Sequence, residues 1–187
     1  MASPVSGYPG EDDPLYRVGV MLINGYGYNW YRLDNQMRAD DLLVRSRASE
    51  HLGSAVARVR ELEARYRRKF LPPPTRAHPD HDPEHLAAVR QFKAVEERIG
   101  ALDTKVRGAT VPPNDRIWQR HRDELDTLAR LGTCDVLLIG GAKQLVDTVA
   151  RLPADAAIDP SAEQRIDADL ARLTEILAQR GAILSVF

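Results

Sequence analysis

The sequence predicts an all-α fold, an elongated helical bundle built on a long antiparallel helical hairpin, and three observations point there. Apolar residues recur at spacings of three and four in five separate segments. Most of these segments carry residue types that start or stop helices. The segment from Asp34 to Phe70 runs without a proline, and at 1.5 Å per residue it spans about 55 Å, too long for a small globule to cover on every side.

Residues 1–12 are rich in Pro, Gly and Ser, lack apolar periodicity and are expected to be a tail, which leaves residues 13–187 as one helical domain. Asp13 and Pro14 can start a short helix with Leu15, Val18 and Leu22 on one face, stopped by Gly25. In the long segment Ala48, Leu52, Ala55, Val59, Leu62 and Tyr66 form a heptad seam, as in a coiled coil, which demands a second long helix from this chain or from another copy. Residues 71–83, LPPPTRAHPDHDP, break the helix with five prolines and form the hairpin tip. Asp82 and Pro83 then supply a cap and a first-turn proline. Leu86, Val89, Phe92, Val95, Ile99, Leu102 and Val106 make the facing stripe, which ends near Gly108.

Asn114 can cap a further helix with Ile117, Trp118, His121, Leu125 and Leu128, expected to stop at Gly132. The run CDVLLIGG reads as a buried strand, yet Leu138, Ala142, Leu145, Val149 and Leu152 keep helical phase through the glycines. Two interior glycines cost such a helix about 2 kcal/mol relative to alanine, an amount packing can offset. Asp159 and Pro160 open a last helix with Ile166, Leu170, Leu173 and Leu177, expected to close at Gly181. The alternative fold is α/β, with a small sheet from residues 17–24, 134–140 and 182–187.

Composition narrows the function classes. The 26 basic and 27 acidic residues nearly cancel, so no overall field draws the chain to nucleic acid or to an anionic membrane. A single cysteine, the absence of a signal-peptide pattern and the lack of a long apolar run lead us to expect a cytoplasmic protein with no membrane span. Arginine supplies 22 of the 26 basic residues, which suggests a GC-rich bacterial source.

Several stretches are candidate sites. Tyr26, Tyr28, Trp30 and Tyr31 lie within six positions beside two glycines and can form a recognition loop or plug the end of the bundle. His78, His81 and His85 alternate with Asp80, Asp82 and Glu84 at the tip, a donor set suited to zinc or iron, though the spacing matches no established metal motif. Arg58, Arg60, Arg65, Arg67, Arg68 and Lys69 can meet phosphates, but Glu61 with Arg65 and Glu63 with Arg67 favour a face laced by ion pairs. Cys134 after Thr133 could sit in a first helical turn, where the dipole activates a thiol, or lie buried as a small hydrophobe. Gly140, Gly141 and Lys143 weakly suggest a phosphate-binding turn, and His121 with Glu124 an acid and base pair without a nucleophile.

These observations lead us to expect an interaction or accessory protein, a homodimer or part of a larger assembly, acting through its long helices, the aromatic run and Leu43. No cofactor is expected. The alternatives are a metal- or ligand-binding enzyme using His78, His81 and His85, and nucleic-acid contact through the Arg58–Lys69 face.

Overall fold

The computed structural model describes residues 36–74, 80–109 and 124–185. Among them it contains four helices and no strand: α1 (Gln36–Phe70), α2 (Pro83–Arg107), α3 (Glu124–Ala150) and α4 (Pro160–Ser185). No helix among the described residues is long and apolar enough to cross a membrane.

Local chemistry places several of the helix ends. Asp82 is extended, and its Oδ1 accepts a hydrogen bond from the Glu84 amide at 2.8 Å, with Pro83 in the first turn. Asp159 does the same for α4, accepting from the Ala162 amide at 2.9 Å and from Ser161 Oγ at 2.6 Å. Gly108 closes α2, its amide bonding the Thr104 carbonyl.

The predicted apolar stripes are the core. Ala48, Leu52, Ala55, Val59, Leu62 and Tyr66 of α1 are all buried, and they face Val89, Phe92, Val95, Ile99, Leu102 and Val106 of α2, whereas Leu86, at the start of the expected α2 stripe, is only half-buried. The two helices are antiparallel, as the cross-links Arg60 to Glu96, Ser49 to Asp103 and Tyr66 to His85 require. A second antiparallel hairpin, α3 and α4, is fixed by Thr148 to Asp169 and Arg180 to Asp135. The hairpins meet mainly along α1 and α3, while α2 touches α4 lightly. Lys69 at the end of α1 pairs with Asp155 just after α3, so these two helices run parallel.

The sheet alternative does not hold. Residues 134–140 lie inside α3, residues 182–185 inside α4, and residues 17–24 are outside the described set. Two expected stops also fail, because α3 passes through Gly132 and α4 passes through Gly181. A glycine ends a helix when the chain turns away at that point; here the apolar face continues on both sides, and packing holds the backbone helical. In α4 the buried stripe also drifts from the expected one. Ile166, Leu173, Ile176 and Ile183 are buried, whereas Leu170 and Leu177 are half-buried.

Candidate functional site

The described surface is polar with one conspicuous exception. Leu42 on α1 is 58% exposed, the one large hydrophobic so exposed among the described residues, and Leu43 beside it is half-buried. Leu42 lies at the edge of an open groove of about 460 Å³ lined by Arg45, Ser46, Ser49, Glu50, Gly53 and Arg107. Length places this groove. α1 is 35 residues and α2 only 25, so roughly 15 Å of α1 has no counterpart on α2.

The groove floor is cross-linked between α1 and the end of α2. Arg45 Nη1 donates at 3.0 Å to the carbonyls of both Arg107 and Ala109, satisfying acceptors that the end of α2 leaves open and placing a cation at the negative end of its dipole. Ser49 Oγ donates to Asp103 Oδ1 at 2.5 Å and accepts from Arg107 Nε at 2.9 Å, while Arg107 also pairs with Asp103. Gly53 leaves the groove wall open, since a Cβ there would meet nothing within 4 Å.

On the opposite flank of α1, His51 leans toward α3. Burial, then the charge of Lys143, holds its pKa below the ordinary 6.5, with Arg47 acting in the same direction and Glu50 and Asp147 opposing. Its Nε2 is enclosed with no hydrogen-bond partner. The proton therefore prefers the unfolded chain. Stability should be complete above the ordinary histidine pKa and decline as the pH falls below about 6.5 toward the lowered folded-state value. His51→Gln is expected to flatten that decline, measured as urea midpoints at several pH values; an unchanged slope would refute it.

At the hairpin tip, His85 is committed to packing. Its Nδ1 lies 2.8 Å from Tyr66 Oη, and its ring sits 4.6 Å from that of Phe70. His81 is half-buried before the cap of α2, and His78 lies outside the described residues. No cluster of three metal-ligating side chains occurs among the described residues. The Tyr66, Phe70, His85 and Phe92 rings together form an aromatic clamp on the hairpin.

Five of the six cations on the Arg58–Lys69 face are paired with carboxylates, Arg68 being the exception. Arg58 and Arg65 both bond Glu61, Arg67 bonds Glu63, Arg60 reaches Glu96 and Lys69 reaches Asp155. Hydrogen bonding from Arg58 foremost holds the Glu61 carboxyl below its ordinary range.

Cys134 is well inside α3 rather than in its first turn, so a dipole-activated thiol does not form. Burial, reinforced by Asp135, pushes its pKa up to about 11, the opposite of activation. Gly140, Gly141 and Lys143 are likewise helical, and Lys143 bonds Asp147 one turn on. The preceding strand that a phosphate-binding turn needs is absent there. The aromatic run Tyr26, Tyr28, Trp30 and Tyr31, and His121, lie outside the described residues, and of Glu124 only its place at the start of α3 is described.

Sequence periodicity did not single out the polar groups inside the α3–α4 seam. Arg180 is 2% exposed and donates from Nε to Asp135 Oδ1 at 3.1 Å. Asp169 is buried and accepts from Thr148 Oγ1 at 2.7 Å and Gln144 Nε2 at 2.6 Å. The available signal was position, since Asp169 and Arg180 share the apolar stripe of Ile166, Leu173, Ile176 and Ile183.

Comparison of the chain with protein-family models, curated proteins and solved structures gives no match, so its function is argued from this geometry.

Proposed function

We propose that this chain is an interaction or accessory protein that docks a protein partner on the outer face of α1 near its amino-terminal end. The carrying observation is Leu42, a large hydrophobic side chain held out in solvent at the lip of an open groove. An apolar centre with a polar rim is the usual anatomy of a protein interface. Here Leu42 and half-buried Leu43 supply the centre, while Glu50, Ser46 and Arg107 supply the rim. The open space at Gly53 lets a partner backbone approach closely. The same interaction includes the aromatic residues Tyr26, Tyr28, Trp30 and Tyr31, which stand shortly before α1 in the sequence. The ion-paired Arg58–Lys69 face favours a protein over a nucleic acid.

The partner is a second copy of this chain or a component of a larger assembly. Light scattering at micromolar concentration is expected to report about twice the chain mass of 20.9 kDa in the first case. Leu42→Asp should weaken the association by at least about tenfold. Folding stability should change by no more than about 0.5 kcal/mol, because the side chain is exposed. A wild-type monomer at high concentration that also retains no partner from cell extract would defeat the proposal.

A further inference from the structure

The two hairpins are joined very unequally. Along α1 and α3 the seam is broad and belongs to one continuous apolar core. Along α2 and α4 contact is light, and the bonds that cross it are polar. Gln91 Nε2 donates to Glu163 Oε2 at 2.7 Å, and Arg98 bonds both Asp167 and, at 3.3 Å, Glu163 Oε1.

We propose that the bundle opens at its α2–α4 rim, with Arg98 as the latch and the α1–α3 seam as the hinge. Three features set this direction. The latch side chains are one third to one half exposed, at 38% for Arg98, 33% for Glu163 and 49% for Asp167. Partly exposed pairs of this kind are weakened by salt and contribute modest net stability. Arg98 is also incompletely satisfied, since its Nε is enclosed with no hydrogen-bond partner, which weakens it further as a clamp. By contrast, the α1–α3 seam is much the broader contact within one continuous core, in which Leu52, Val59, Leu138 and Leu145 are each fully buried, so parting it would uncover more apolar surface, which resists exposure. Each hairpin keeps its own antiparallel packing when the rim opens, so the motion needs no helix to unfold. Opening uncovers part of the core stripes of α2 and α4, including Val95 and Ile166, both 0% exposed when closed, an apolar cost kept below that of parting α1 from α3 by the lighter contact along the rim.

The test is thiol labelling of the full chain, read residue by residue by mass spectrometry. Ile166→Cys places a reporter under the rim, and the native Cys134, buried in α3, reports unfolding elsewhere in the same molecule. Adding Arg98→Met to Ile166→Cys should speed labelling at position 166 about two- to fivefold, the range that loss of a weak exposed ion pair allows. Molar salt should have a similar effect in Ile166→Cys alone. Labelling of Cys134 should change in neither case. Should Ile166→Cys fold poorly, Val95→Cys reports the same opening from α2. Equal acceleration at both thiols would mean global unfolding and overturn the proposal. No acceleration at position 166 or 95 on removing Arg98 would overturn it as well.

Discussion

Arg180→Met is expected to destabilise the fold by roughly 3–5 kcal/mol, because it takes a charged donor away from the buried Asp135 carboxylate and breaks the pair from one side. The two side chains lie inside the α3–α4 seam, at 2% and 9% exposure. A Met side chain cannot replace the guanidinium donors. For a chain of this length the loss corresponds to a Tm lower by roughly 6–20 °C. Replacing both partners has the opposite logic. Asp135→Val combined with Arg180→Met removes both buried charges along with the bond between them, and should be less harmful than Arg180→Met alone by about 1 kcal/mol or more. Thermal melts of the two singles and the double decide it. A single variant that loses less than about 1 kcal/mol would show that the pair is far better hydrated than its burial indicates.

This pair also marks the boundary of what the sequence reveals. Short-range chemistry is legible: Asp82 and Pro83, Asp159 and Pro160, and the pairs Glu61 with Arg65 and Glu63 with Arg67 all act within four residues, and the structure contains each of them. The stripes of α1 and α2 are legible too, because a helix buried along one face repeats its apolar residues at a fixed spacing. Arg180 and Asp135 are 45 positions apart, and a polar residue on an apolar stripe looks like an interruption until the helix opposite it is known. The same holds for His85, whose 19-residue separation from Tyr66 conceals a packing role behind an apparent metal motif. Leu42 is the reverse case. Its apolar character is plain in the sequence, but its exposure follows from α2 ending beside Arg45, a tertiary fact that periodicity does not carry.

Gly141 tests whether the glycines of α3 are tolerated or required. A Cβ at this position would lie 2.8 Å from Leu173 Cδ2 and 3.3 Å from its Cγ. Leu173 is fully buried, so it cannot swing aside without disturbing its own packing on α4. Two effects therefore compete in Gly141→Ala: helix propensity gains about 1 kcal/mol, and overpacking loses about 1–3 kcal/mol. The clash should win. Gly141→Val crowds the same space with two more methyl groups and should lose about 3 kcal/mol. Trimming the neighbour tests the cause, because Leu173→Ala alone leaves a cavity costing about 2–5 kcal/mol, whereas combined with Gly141→Val it should be less harmful than the sum of the two singles by more than about 0.5 kcal/mol. Gly100 supplies the control: it is also interior to a helix, but a Cβ there meets nothing within 4 Å. Gly100→Ala should thus gain about 0.5–1 kcal/mol in the same urea titrations. If Gly141→Ala stabilises the protein as much as Gly100→Ala does, the close approach of α3 to α4 is not what places glycine at 141.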